Sequence, residues 1–276
     1  MFLEQISWKQ AEEYFKKRDL AVIPVGSTEN HGSQLALGTD FLIPRNLCER
    51  MDSRLNCLIA PTIPYGVADQ HTHFPGTITI GYDGLYDLVT RIADQLYGHG
   101  IRHFVFLNGH GGNTPVLQRV CMELDDKHAV GCVLDWWSLA GELNPAWKGG
   151  HGGGEETAAM LAIDPKYVHM DCFLPFEPKN LTGTLTYGGA ANVSFRGITI
   201  PVPRHVNRYC ESGWYGPDSP KDATKEWGEE MLAATADFFV DFILEFEKAP
   251  AARRSGGAQS PRPPQTPGAP PPRPSR

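Results

Sequence analysis

The stretch LAVIPVGSTENHGSQLALGTD (20–40) decides the expected fold. Its opening run, LAVIPVG (20–26), is short and apolar and ends in glycine, which is typical of a strand buried on both faces. The rest of the stretch places a carboxylate, an imidazole and a second carboxylate directly after that strand. Ligands bind beyond the carboxyl ends of the strands in open parallel sheets, so this loop is the first candidate for a functional site.

Strands and helices alternate through the body of the chain, which predicts an α/β fold with a mostly parallel central sheet covered on both faces. Further strands are expected at 57–63, 102–108 and 129–137. The charged N-terminus has an amphipathic helix pattern, and further helices are expected at 40–53, 85–97, 114–126, 155–163 and 220–248.

The composition divides the 276 residues into one folded domain, 1–250, and a C-terminal tail, 251–276. The tail holds eight prolines and five arginines but no large apolar residue, so we expect it to be disordered. A proline-rich ligand for a partner is the alternative interpretation. The body keeps 20 basic and 32 acidic residues, and this negative charge does not favour nucleic acid or an anionic membrane as a partner.

The six cysteines show no C-x-x-C spacing, and several lie in apolar runs. They are expected to be free, mostly buried thiols in a reducing compartment. The N-terminus does not resemble a signal peptide, and no stretch approaches the roughly 18 apolar residues that a membrane span requires. The sequence therefore predicts a cytoplasmic protein.

The first loop carries Glu29, His31 and Asp40. Residues two apart in an extended segment point the same way, so Glu29 and His31 can address two neighbouring metal ions. This mixture of carboxylate and imidazole suits Zn²⁺, Mn²⁺ or Fe²⁺. The alternative is structural: Asp40 sits where a residue capping the next helix would stand.

Two further loops carry histidines between glycines. LNGHGGN (107–113) places His110 after the third strand, and its neighbours offer nothing to bury the ring, which favours a ligand. An anion site is the alternative, although no G-x-G-x-x-G pattern or Walker lysine is present. GGHGGGEET (149–157) places His151 before a helix that opens with Glu155 and Glu156. Adjacent helical residues diverge by about 100°, so only one of these glutamates is expected to face a site.

Four blocks of this sequence together resemble the creatininase family. PVGSTENHGSQLALGTD is similar to its signature P-x-G-S-x-E-x-H-G-x-x-L-x-x-x-T-D, and LNGHGGN and HGGGEET resemble its second and third blocks. SGWYGPDSPKDATKEWGEEM (212–231) resembles its closing pattern. The resemblance implies a three-layer α/β/α sandwich, a two-metal hydrolytic site and, often, a homohexamer.

Transferred by position, the resemblance implies that one ion is held by Glu29, Asp40 and His110. The other would be held by His31, Asp40 and Glu156, so that Asp40 bridges the pair. His151 matches a family histidine thought to move protons, and Glu156 is counted with it as catalytic.

The resemblance also bears on the substrate. Trp147 matches an aromatic residue near the family's substrate, although it can equally pack a loop. Creatininase itself draws a carboxylate from its second block, where this chain has Gly112, and this weakens the case for creatinine. Other candidates for the pocket lining are polar side chains that can equally be structural: Tyr65, His71, His73, Tyr187 and Arg204.

The expected activity is therefore metal-dependent hydrolysis of a C–N amide bond, in a cyclic amide or formamide of a small polar molecule. A hydroxide bridging two divalent ions would attack, and His151 would protonate the leaving group. One alternative is a hydrolase that opens a keto-inositol ring, of the 3-dehydro-scyllo-inosose type, by C–C cleavage. Another is a metal- or sugar-binding protein without catalysis, which the presence of His151 disfavours.

Overall fold

Four parallel strands form the central sheet, and they lie side by side in the order Leu58–Ile59, Leu20–Val25, His103–Asn108 and Val130–Asp135. The computed structural model describes residues 1–251, and the strands are numbered in chain order. They are β1 (Leu20–Val25), β2 (Leu58–Ile59), β3 (His103–Asn108) and β4 (Val130–Asp135). The predicted tail lies almost entirely outside the described residues.

Seven helices of eight or more residues surround the strands in the described part of the chain. They are α1 (Trp8–Phe15), α2 (Thr39–Leu55), α3 (Gly81–Gly98), α4 (Thr114–Asp126), α5 (Trp136–Leu143), α6 (Gly154–Ile163) and α7 (Lys225–Phe246).

Successive residues of β1 face opposite cores, and this gives the fold three layers. Leu20 and Val22 pack into a core that α2, α6 and α7 cover. Ala21 and Ile23 pack into a second core that α1, α3 and α4 cover. The alternation of strands and helices predicted a mostly parallel sheet covered on both faces, and the family resemblance implied a three-layer α/β/α sandwich. Both expectations are confirmed.

The strand register brings the functional loops together. Val25 pairs with Asn108, and Asn108 pairs with Asp135, so three strands end at the same level of the sheet. The loops that follow these strands therefore start side by side at one edge.

A second sheet, antiparallel and three-stranded, was not expected from the sequence. Its strands are β5 (Thr186–Tyr187), β6 (Asn192–Phe195) and β7 (Ile198–Pro201). They are only two to four residues long, and all of β7 is exposed, so neither length nor a buried face marks them in the sequence.

Three predicted boundaries are corrected by the structure. The strand expected over 57–63 is regular only at Leu58–Ile59, after which single bridges continue the pairing to Ile63. The strand expected over 129–137 ends at Asp135, because α5 begins there. The last helix begins at Lys225 rather than near 220, since the Thr224 side chain accepts a hydrogen bond from the Trp227 amide and caps it.

The six cysteines are unpaired, as expected, and Cys172 is the exposed one among them. Within residues 1–251, none of the helices combines the length and the apolar character that crossing a membrane requires.

Candidate metal centre

Five predicted ligands converge at the carboxyl edge of the central sheet. Glu29 and His31 come from the loop after β1, and Asp40 from the first turn of α2. His110 follows β3, and Glu156 lies in the first turn of α6. Their candidate ligand atoms fall into groups whose members lie within 4.8 Å of one another: Glu29, Asp40 and His110; His31, Asp40 and Glu156; and a third of Glu29, His31 and His151.

Both histidines of the first two groups are oriented by backbone carbonyls. His31 Nδ1 lies 3.1 Å from the carbonyl oxygen of Glu29, and His110 Nε2 lies 2.8 Å from that of Val67. If these nitrogens carry the protons, His31 Nε2 and His110 Nδ1 offer lone pairs to the cluster. A hydrogen bond at the outer ring nitrogen is what orients metal-binding histidines.

The inner nitrogens face carboxylates. His31 Nε2 lies 2.7 Å from Asp40 Oδ1 and 3.8 Å from Glu156 Oε2. His110 Nδ1 lies 3.2 Å from Glu29 Oε1 and 3.1 Å from Asp40 Oδ2. Asp40 therefore stands between the two histidines, with one oxygen toward each.

The carboxylates have more acceptor capacity than this part of the chain satisfies. Both side-chain oxygens of Glu29, and Oδ2 of Asp40, are buried without a hydrogen bond among the described residues. Asp40 does not cap α2 either, because the capping position is Gly38 and no side chain caps it. Buried, unsatisfied carboxylate oxygens are costly unless they bind a cation, so the donor set fits divalent metal ions.

The charges of the cluster shift the pKa values of its members strongly. Burial lowers the pKa of His31, but Asp40 and Glu156 outweigh this and raise it to about 10. Burial likewise opposes the charged form of His110, yet Glu29 and Asp40 raise its pKa well above the usual range. Protons on these rings offset the carboxylates in the absence of metal.

His151 differs from the two ligand histidines. Burial, together with His71 and His31, lowers the pKa of His151 well below its usual range. Its Nδ1 lies 3.9 Å from Glu29 Oε1, while its Nε2 is buried without a hydrogen-bond partner among the described residues. The ring thus lies beside the cluster as a neutral base.

Two glycines permit the close packing of the loops. A Cβ on Gly109 would lie 1.8 Å from the carbonyl oxygen of Asp40, so only glycine lets the end of β3 approach α2. A Cβ on Gly112 would lie 2.2 Å from the carbonyl oxygen of Val67. The loop containing Val67 therefore occupies the space into which a side chain at Gly112 would project.

Asn113 ties three loops together, and the sequence analysis gave it no role. Its Oδ1 accepts a hydrogen bond from the Val67 amide, and its Nδ2 donates to the carbonyl oxygen of Gly26 and to Asn108 Oδ1. Asn113 thereby holds the carbonyl of Val67 against His110. An asparagine ending a glycine-rich loop was the available signal.

A cavity of about 350 Å³ opens beside the cluster. Asp40, His110, His151 and Glu156 line it, and so does His71, whose Nε2 lies 3.6 Å from Glu29 Oε1. Its aromatic wall was not expected and consists of Tyr82, Trp137 and Tyr215. Sequence reasoning missed these side chains because they come from α3, α5 and a loop after the second sheet.

The three predicted substrate contacts lie elsewhere among the described residues and do not line this cavity. Trp147 is buried in the core that Leu20 and Val22 also enter. Tyr65 is 41% exposed. His73 is exposed and packs edge-on against His205, with ring centroids 4.2 Å apart.

Glu155 is the clearest correction. Only one of the two adjacent glutamates was expected to face the site, but Glu155 is 2% exposed and lines the cavity beside Glu156. Its amide donates to Asp218 Oδ2, which covers the helix start. Burial, with Glu156 and Asp218 nearby, raises the pKa of Glu155 to about 9, so the side chain is neutral near pH 7.

Comparison with known proteins identifies the family. Residues 4–243 match the sequence profile of creatininase, described as creatinine amidohydrolase. The chain belongs to the creatininase family. It is 29% identical to creatinine amidohydrolase from Pseudomonas putida, over 89% of this chain and 96% of that protein. It is 36% identical to the mycofactocin precursor peptide peptidase of Mycobacterium ulcerans, over 83% of this chain and 86% of that protein.

A third relative and two solved structures extend the comparison. The chain is 27% identical to 3-dehydro-scyllo-inosose hydrolase from Thermotoga maritima, over 92% of this chain and 86% of that protein. A manganese form of creatininase superposes with a TM-score of 0.72 at 26% identity, covering 90% of this chain and 99% of the other. A glutamate-to-glutamine mutant of creatininase, Zn-Zn type, superposes with a TM-score of 0.70 at 26% identity, covering 90% of this chain and 98% of the other. The chain is thus a metal-dependent hydrolase of this family.

Proposed function

We propose that this creatininase-family member holds two divalent metal ions per chain and hydrolyses a C–N amide bond of a small polar molecule. The observation that carries the proposal is the coincidence of the two ligand groups with the sets implied by the sequence. Glu29, Asp40 and His110 form one, and His31, Asp40 and Glu156 form the other. Asp40 belongs to both groups, as a bridging ligand must.

The chemistry follows from the donor set. When bound, two divalent ions supply Lewis acidity and lower the pKa of a water molecule to near neutrality. Zn²⁺, Mn²⁺ and Fe²⁺ all suit mixed carboxylate and imidazole ligands.

His151 is proposed to hand the proton to the departing nitrogen. Its ring lines the cavity, and its Nε2 has no protein partner among the described residues. The lowered pKa keeps this ring neutral, so its free nitrogen is available to accept a proton from water in the cavity and pass it on.

The substrate is proposed to be an amide other than creatinine. Creatininase carries a carboxylate in its second block, and at this position the backbone of Val67 leaves no room for any side chain on Gly112. A peptide amide is the second candidate, because the peptidase relatives are 31–36% identical to this chain. Opening of a keto-inositol ring is the third, supported by the inosose hydrolase relative.

Mass spectrometry of reaction mixtures tests the proposal. Protein loaded with Zn²⁺ or Mn²⁺ would be incubated with creatinine, hydantoin, formamides, short peptides and a keto-inositol. We expect the mass of one water to be added across an amide bond, and Asp40→Ala protein to give none. Turnover confined to the keto-inositol would contradict amide hydrolysis, and metal binding without any turnover would favour a binding protein.

We further propose that the protein is a cytoplasmic homo-oligomer, a hexamer by family resemblance. Size-exclusion chromatography with light scattering should give a multiple of the 30.4 kDa chain mass. A monomer at micromolar concentration would contradict it.

A further inference from the structure

A second pocket adjoins the metal cavity. It has a volume of about 290 Å³ and is lined by Pro203, Arg204, His205 and Arg208 on one side and by Asp69 and Gln70 on the other. Asp69 and Gln70 also line the metal cavity, so one short turn, Asp69–His71, forms a wall of both. We call the second pocket the Arg204 pocket.

Arg204 is a nearly buried cation that neutral groups hold in place. It is 8% exposed, and its guanidinium donates to the carbonyl oxygens of Val202 at 2.9 Å and Asn192 at 3.3 Å. The guanidinium also lies 4.9 Å from the centre of the Tyr209 ring. None of the ion pairs found within residues 1–251 includes Arg204. A buried charge without a counter-ion is costly, and a bound anion would relieve that cost.

Further positive charge lies beside it. Arg208 is exposed and closes the short turn Val206–Arg208, which packs against the turn Asp69–His71. Arg208, too, takes part in no ion pair in the described region. Asp69 is the carboxylate of the pocket lining, and its Oδ1 accepts a hydrogen bond from Thr79 Oγ1. The pocket lining therefore includes two arginines and one carboxylate that is already hydrogen-bonded.

We propose that the Arg204 pocket binds an anionic group of the substrate, a carboxylate or a phosphate, while the scissile bond lies in the metal cavity. The inference rests on the proposed amide hydrolysis, because it assigns a substrate class to that same site. The planar, multiply donating guanidinium is the side chain best suited to either anion. Because the two pockets share a wall, a substrate that spans it would carry its anionic group on the segment next to the amide.

Matched formamides test this assignment through activity. The probes are N-formyl-β-alanine, N-formyl-O-phosphoethanolamine and the uncharged N-formylethanolamine, each with metal-loaded protein. We expect kcat/KM for at least one anionic probe to exceed that of the neutral probe by about tenfold or more, mostly through KM. The preferred probe distinguishes carboxylate from phosphate. Equal kcat/KM for all three would overturn the inference.

Variants of Arg208 and Arg204 test whether these side chains cause the preference for anionic probes. Arg208→Gln, at an exposed position, should remove most of the preference and raise KM for the anionic probe, with kcat little changed. Arg204→Lys keeps a charge but loses the fork of donors, and should weaken the preference as well. Arg196→Gln is the matched control, because Arg196 lies between β6 and β7, outside both pockets. An unchanged preference in both pocket variants would overturn the assignment.

Sulfate binding separates this inference from the proposed function. Titration of the protein with sodium sulfate at constant ionic strength, followed by NMR, needs no turnover. We expect sulfate to shift the Arg204 and Arg208 signals, and its affinity to fall about fivefold or more in Arg208→Gln but not in Arg196→Gln. If none of the formamides is hydrolysed, the amidohydrolase proposal fails, but the sulfate titration still tests whether the Arg204 pocket binds an anion. Equal sulfate affinity in wild type and Arg208→Gln would overturn it.

Discussion

His103 and His110 stand at opposite ends of the same strand, and their surroundings differ. His103 opens β3, and both its ring nitrogens have partners: Asp19 Oδ1 at 3.0 Å and the carbonyl oxygen of Ala249 at 2.9 Å. His110 follows the strand, and only its Nε2 has a neutral partner, while Nδ1 faces Glu29 and Asp40.

The difference supports a structural role for His103 and the proposed ligand role for His110. The partners of His103 join the start of β3 to the end of the described chain, which favours a fold-stabilising role. The carboxylates around His110 have oxygens without other partners in the described region, which fits the proposed cation site. Burial alone would not have distinguished the two rings, since both are largely buried.

Asp40→Ala should have the largest effect on metal content and activity. Asp40 belongs to both ligand groups, so its loss should release both ions and lower kcat/KM by about 10⁴-fold or more. Elemental analysis and kinetics on the same sample measure the two effects. Two retained equivalents of metal per chain would show that Asp40 does not bridge.

Variants of the adjacent residues Glu156 and Glu155 test which of the two glutamates binds metal. Glu156→Gln should lose one ion and about 10²–10³-fold in activity, as expected for removal of a charged ligand. Glu155→Gln should keep both ions and most stability, because glutamine resembles the neutral carboxyl that a pKa of about 9 implies. The reverse pattern in metal content would exchange their roles.

Metal binding should release protons from the histidines that face carboxylates. His31 and His110 have raised pKa values in the metal-free protein, so near pH 7 both are protonated and must lose protons to coordinate. Affinity should therefore rise with pH, by about tenfold per unit for each proton released. Calorimetry in buffers of different ionisation enthalpy counts these protons, and no release would contradict the assigned charges.

Replacing His103 and His110 in turn tests the comparison itself, and His103→Asn should have the smallest effect on the site. His103→Asn should lower the free energy of unfolding by about 1–3 kcal/mol, because Asp19 and Ala249 lose a buried partner, while metal content stays unchanged. His110→Asn should lose metal and should also lower the stability of the metal-free protein near pH 7, because it removes a ring whose raised pKa lets its proton offset Glu29 and Asp40. Chemical denaturation in the presence of EDTA measures both. Metal loss in the His103 variant would remove the distinction.

Local spacing predicted Glu29, His31 and His110 as candidate ligands, because Glu29 and His31 directly follow one buried strand and His110 follows its neighbour. The choice of Glu156 over Glu155 and the division of the ligands between two ions came from the family resemblance. The aromatic wall was not predictable in this way. Trp137 was assigned to a strand that ends at Asp135, and Tyr215 reaches the site from a loop whose path the strand pattern does not determine. Glu155 is buried because Asp218, 63 residues later, closes over α6. The antiparallel sheet escaped prediction because its strands are short and exposed.

Anomalous diffraction from crystals grown with Zn²⁺ or Mn²⁺ tests the central claim most directly. We predict two peaks per chain, one among Glu29, Asp40 and His110 and one among His31, Asp40 and Glu156, with Asp40 contacting both. A single peak, or a second ion held without Asp40 and Glu156, would contradict the two-metal site.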